Sequence, residues 1–110
     1  MKKSNRIRKN EEFSSNINKR HSKASSSFVV YYNKRNEDHA RIGISVSKRL
    51  GNAVMRNKIK RQVRMMLQET VNFEETSYDY IVIVRNAYLS KSYADNKKDL
   101  EKTIKNCKII

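Results

Sequence analysis

The chain has 110 residues, 37% of them apolar and 33% charged, which suits one domain with a modest core. Lys and Arg number 25 against 11 Asp and Glu, a net charge of +14. Solubility alone is served by about 2–8 charges, so an excess that repels itself on folding points to a polyanionic partner. The single cysteine, Cys107, excludes an intrachain disulfide, and Met1, Lys2, Lys3 and Ser4 lead into no apolar run. Neither a signal peptide nor a transmembrane span is expected, and the cytoplasm is the expected compartment.

One domain over residues 1–110 is expected, with a sheet layered on helices. Residues 10–20 read as a short helix, with Asn10 as cap, Glu11 and Glu12 in its first turn, and Phe13 and Ile17 on one face. Residues 28–32 (FVVYY) are an aromatic and β-branched run, hence a strand, and a further strand could precede it. Residues 41–47 alternate, with Ile42, Ile44 and Val46 on one side and Arg41, Gly43, Ser45 and Ser47 on the other. The two strands are expected to pair as an antiparallel hairpin. Gly51 and Asn52 end the strand region, and Asn52 is placed to cap a helix running to about Glu69. After an acidic stretch over 70–77, residues 79–85 (DYIVIVR) form a continuous apolar run suited to a central strand buried on both faces. A last helix starts near Ser90 or Ser92, with Tyr93, Leu100, Ile104 and Cys107 as its apolar face.

The strongest functional signal is KRLGNAVMRNKIKRQVR, Lys48 to Arg64. No acid lies between His39 and Gln68, yet Arg41, Lys48, Arg49, Arg56, Lys58, Lys60, Arg61 and Arg64 do. At helical spacing Met55, Ile59, Val63 and Met66 share an arc of about 80° and should pack on the sheet. Arg56, Asn57, Lys60, Arg61 and Arg64 fill another arc of about 140°, with Lys58 off it on the Met65 side. Like charges four residues apart repel by a few tenths of a kcal/mol, a cost that phosphates would reverse. A solvated face normally mixes both signs.

Phe13 and Ile17 could face Tyr31 or Tyr32 across a cleft that stacks single-stranded bases. On composition alone these residues are more simply core, and Tyr31 and Tyr32 must point to opposite faces. Catalytic signals are poor. His21 and His39 lie in polar segments, no ligand cluster has metal spacing, and no Gly-rich phosphate loop is present. The apolar arc of the basic helix is narrow and needed by the core, which ranks membrane binding low.

The segment from Gly43 to Arg64 resembles the signature of the protein subunit of bacterial ribonuclease P, in which Ser-x-Lys-(Lys/Arg)-x-Gly-Asn-Ala-Val-x-Arg-Asn-(Arg/Lys)-Ile-Lys-Arg-x-x-Arg marks the RNA-binding helix. RIRKNEEF (Arg6–Phe13), FVVYY and DYIVIVR (Asp79–Arg85) are similar to further family segments, so the likeness covers nearly the whole chain. The resemblance implies a two-layer α/β sandwich of order αβββαβα, like the second domain of a ribosomal protein, with a left-handed βαβ crossover. It also implies that a catalytic RNA hydrolyses precursor tRNA with Mg2+ held chiefly by RNA and substrate. The protein would carry no catalytic residue, and would bind that RNA and the 5′ leader. Carried over, the RNA-binding residues are Lys48, Arg49, Arg56, Asn57, Lys58, Lys60, Arg61 and Arg64, and the leader cleft holds Phe13, Ile17, Tyr31 and Ser45. Ile17 stands where the family often has an aromatic ring, and Lys58 where Arg is commoner. The expected partners are the catalytic RNA and precursor tRNA, with no membrane and no DNA. The alternatives are a ribosomal or RNA-chaperone protein and a self-sufficient nuclease, the latter lacking an acid–base constellation.

Overall fold

The computed structural model describes residues 21–34, 40–72, 76 and 78–107. The helix expected over 10–20, with Phe13 and Ile17, lies outside these residues. Within them the order is β1 (Ser22–Ala24), β2 (Phe28–Lys34), β3 (Ile42–Ser45), a 3-10 turn (Lys48–Leu50), α1 (Ala53–Thr70), β4 (Tyr78–Val84), a second 3-10 turn (Asn86–Ser90) and α2 (Tyr93–Lys105). The strand anticipated before Phe28 is therefore present as β1.

The four strands lie in the order β1-β2-β4-β3. β2 runs antiparallel to β1 and to β4, whereas β3 runs parallel to β4. The expected hairpin of β2 with β3 is thus corrected: β4 lies between them. The reason is in the residues. Tyr80, Ile81, Val82 and Val84 are all buried, and a strand apolar on both faces is costly at an edge. Seating it centrally pairs both its sides and sends β3 to the edge. A parallel neighbour then needs a crossover, which α1 supplies.

Alternation sorts the sheet into two faces. Phe28, Val30, Tyr32, Ile42, Tyr80, Val82 and Val84 join the core, with Ile44 and Tyr78 packed against it. From α1 come Ile59, Val63, Met66 and Leu67, and from α2 Leu100 and Ile104. Each such side chain contributes roughly 1.5–3 kcal/mol when fully buried. Two expected core positions are corrected. Met55 is 40% exposed, because it packs over the Gly51 turn, where its Cβ and Cγ would lie 2.9 Å from a Cβ on residue 51. Tyr93 is 37% exposed at the first residue of α2. The buried ring at that end is Tyr88, edge-on to Phe28 at 5.7 Å.

Three serines join the β1–β2 turn to α2. The Ser27 hydroxyl donates to Asn96 Oδ1 at 2.7 Å, and Asn96 Nδ2 donates to the Tyr88 carbonyl at 3.1 Å. The Asp99 carboxylate accepts from the Ser27 N–H at 3.1 Å and from the Ser26 hydroxyl at 3.4 Å, with Lys91 Nζ at 3.7 Å. Burial pushes the Asp99 carboxyl up. The Ser27 N–H, the Ser25 hydroxyl, the Lys91 ammonium and the Ser26 hydroxyl outweigh that and hold it below its ordinary value. A carboxyl lowered in the folded state stabilises fully above its unfolded pKa of about 3.9, and that stabilisation is lost as pH falls through the folded value. Asp99→Asn is therefore expected to lower Tm at pH 7. The gap from the parent chain should shrink as thermal melts are taken from pH 5 to below about 3.9.

Candidate nucleic-acid interface

The cationic segment begins at the end of β3. Lys48 and Arg49 are exposed on the 3-10 turn, and Gly51 closes it with φ 141° and ψ −172°. That left-handed φ, together with Met55 at 2.9 Å from any added Cβ, requires glycine. Asn52 then caps α1 as the sequence led us to expect, its side chain accepting from the Met55 N–H at 3.0 Å. The first turn of α1 carries no acid, so the positive end of the helix dipole adds to Lys48 and Arg49.

Along α1 the basic residues divide by depth. Asn57, Lys58 and Arg61 are exposed, whereas Arg56, Lys60 and Arg64 are half-buried. The second group borders the buried face at i, i+4 and i+8, so their stems lie against apolar surface while the charged heads reach outward. Arg56 Nε is buried and hydrogen-bonds nothing. Among the described residues, the acids pair as Arg41–Asp79, Lys91–Asp99, Lys97–Glu69 and Lys97–Glu101. None of these pairs engages Lys48, Arg49, Arg56, Lys58, Lys60 or Arg61. Among the described residues these six cations thus stand without an acidic partner.

Tyr31 and Ser45 share the sheet face turned away from the two helices. Tyr31 opposes Ile81, which opposes Gly43; in the next row Val29 opposes Ile83, which opposes Ser45. Two strand spacings, about 10 Å, separate the outer members of each row. Ser22 of β1 flanks Tyr31. Tyr32 points the other way, into the core, with its ring 5.7 Å from that of Tyr78. Of the two tyrosines left open, Tyr31 is the one on this outer face, where it is half-buried. Val29, Ile81 and Ile83 complete this face and were not singled out from the sequence, although a strand apolar on both faces implies them. Phe13 and Ile17 lie outside the described residues.

Two side chains brace this assembly without a sequence signal. Tyr88 Oη donates to Gln62 Oε1 at 2.7 Å, tying the second 3-10 turn to α1, and burial pushes the phenol up to about 12. Asp79, buried at the start of β4, accepts from the Arg41 N–H at 2.7 Å. The Cys107 thiol is buried and, by that burial, pushed up to about 12, which leaves little thiolate for chemistry. Among the described residues no three His, Cys, Asp or Glu come together as metal ligands, and no helix is long and apolar enough to cross a membrane.

The family model described as Ribonuclease P matches residues 1–108. The chain belongs to the ribonuclease P protein family. It is 47% identical over 105 residues to the ribonuclease P protein component of Mesoplasma florum, covering 94% of this chain and 96% of that one. Its fold is similar to that of the Staphylococcus aureus RNase P protein, with a TM-score of 0.84, 40% identity and coverage of 97% and 98% of the two chains. The Thermotoga maritima RNase P protein is similar with a TM-score of 0.81 at 25% identity, covering 94% of this chain and 98% of that one. The mixed α/β fold expected from the resemblance is the fold these ribonuclease P proteins share.

Because Arg56 and Arg61 make no ion pair with the described residues, removing either should not cost stability. Arg56→Met and Arg61→Ala are each expected to unfold in urea within about 0.5 kcal/mol of the parent chain. Gly51→Ala, which forces a Cβ into the left-handed region and against Met55, is expected to lose about 1–3 kcal/mol. Equal losses for all three would mean that the cations are part of the fold's own support.

Proposed function

We propose that the chain serves a ribonuclease P holoenzyme as its RNA-gripping component. Lys48, Arg49, Arg56, Asn57, Lys58, Lys60, Arg61 and Arg64 neutralise phosphates of the catalytic RNA. The sheet face of Tyr31 and Ser45, with Phe13 and Ile17, holds the 5′ leader of precursor tRNA. The observation that carries the reading is the run of cations from Lys48 to Arg64 with no acid between them, set on a domain whose opposite sheet face carries Tyr31. Arginine grips phosphate with a planar fork and lysine as a point charge, so the α1 surface fits a phosphodiester strand better than a single anion. Phosphate contacts position the RNA, while stacking on Tyr31 suits unpaired leader bases irrespective of their sequence.

Hydrolysis falls to the RNA subunit in this reading. Mg2+ would polarise the scissile phosphate and activate water there. The described residues offer it no carboxylate set, since Asp79 is buried against Arg41 and Asp99 is engaged by Ser27 and Lys91. The ion is accordingly assigned chiefly to RNA and substrate. The chain's own part is to bind, orient and neutralise, in a cytoplasmic ribonucleoprotein.

The deciding experiment adds purified chain to ribonuclease P RNA and measures 5′-leader removal from precursor tRNA at low Mg2+. Stimulation by the chain, with no cleavage by the chain alone, is the expected result. No stimulation would leave a ribosomal or chaperone role, and cleavage without RNA would assign the hydrolysis to the protein. Tyr31→Ala is expected to weaken precursor binding by roughly 5- to 150-fold, the equivalent of one lost stacking contact. Filter binding of mature tRNA should be unchanged; equal losses for both substrates would remove the leader platform.

A further inference from the structure

We infer that the outward face of α2 is a second RNA surface, which meets the phosphate backbone of a segment distinct from the one held by Lys48, Arg49 and Arg56 at the start of α1. The inference rests on the proposed function above. At about 100° per residue, Lys98, Lys102 and Lys105 fall within an arc of about 60°, on the side of α2 opposite its buried Asn96, Leu100, Thr103 and Ile104. All three lysines are exposed, and none takes part in the ion pairs of the described residues. The acids of α2 are occupied elsewhere. Asp99 faces the serine turn, Glu101 and Glu69 of α1 share Lys97, and Asp95 sits in the first turn, where the helix dipole favours it.

The dipole also favours Lys102 and Lys105 in the last turn. It does not account for Lys98, which repels Lys102 at i+4. The neighbours Asp95 and Glu101, three residues to either side of Lys98, offset this only in part, since Glu101 pairs with Lys97 and Asp95 makes no ion pair among the described residues. A polyanion reverses that cost. The strip is about 10 Å long, the axial reach of about three successive phosphates. Lysine's compact charge, without a fork, suits backbone contact that ignores sequence.

The geometry separates this surface from the first. Tyr88 meets Gln62 and Lys97 meets Glu69, so contacts advance in the same direction along α1 and toward α2. Glu69 lies about 20 Å along α1 from Arg56, and Lys98 to Lys105 continue beyond the Lys97–Glu69 pair. A strand laid on Lys48, Arg49 and Arg56 at the start of α1 therefore does not also cover the α2 strip. With both surfaces occupied, the domain bridges two RNA segments.

The test uses the full chain assembled with ribonuclease P RNA. The variant Lys98→Gln/Lys102→Gln/Lys105→Gln is compared with Lys98→Arg/Lys102→Arg/Lys105→Arg and the parent, after melts confirm folding. The slope of log K against log salt is expected to fall by about two for the Gln variant, at roughly 0.7–0.9 per lost phosphate contact, and to stay at the parent value for the Arg variant. Hydroxyl-radical footprinting should show the Gln variant losing protection in an RNA segment that Arg61→Ala leaves protected. A parent-like slope for the Gln variant, or loss confined to the segment that Arg61→Ala exposes, overturns the second surface and leaves a solvated helix face. Failure of the parent chain itself to bind the RNA would instead overturn the proposed function, and the second surface with it.

Discussion

The central placement of β4 governs the rest of the molecule. Tyr80, Ile81, Val82 and Val84 are buried together on one strand, and no edge position could shelter both of its faces. With β2 antiparallel on one side, β3 takes the other side as a parallel partner. That pairing obliges the chain to cross over the sheet between residues 45 and 78, and the crossover is α1. The cationic motif is thus carried on the one helix whose position is set by the strand pairing itself.

Charge segregation follows the same architecture. The acids that make ion pairs in the described part of the chain lie at the start of β4, at the last turn of α1 and along α2. The start of α1 and the turn before it have none. The like-charge repulsion retained there is a cost that the fold alone does not recover, which is why the surface reads as one shaped by a ligand. The buried face of α1 supplies the offset: Ile59, Val63, Met66 and Leu67 fix the helix on the sheet firmly enough that its outer edge tolerates the strain.

Much of this was legible from the residues. The period-two alternation of 41–47 and the apolar run of 79–85 gave both strands, and Asn52 marked the start of α1 by its capping chemistry. The arc of Ile59, Val63 and Met66 gave the helix face correctly. Strand partnership was not legible, because local pattern says which face is apolar and not which neighbour covers an edge; the expected hairpin of β2 with β3 failed on that point. Met55 was misplaced because helical spacing ignores the Gly51 turn on which it packs. For the candidate site, the separation of Tyr31 from Tyr32 followed from alternation, but which of them lay outward depended on where the helices pack. The bonds from Asn96 and Asp99 to the serine turn join residues some seventy positions apart, and no local pattern encodes such a pairing.

The single thiol of the chain, Cys107, gives the molecule a native reporter. It sits just past α2, 3% exposed and donating to the Thr103 carbonyl at 3.3 Å, with a pKa pushed up to about 12 by burial. An alkylating reagent at neutral pH therefore meets a protonated, sheltered thiol as long as α2 remains docked on the sheet. Labelling rate becomes a direct clock for undocking of the C-terminal helix, readable in the bare protein or within a ribonucleoprotein, without any engineered probe.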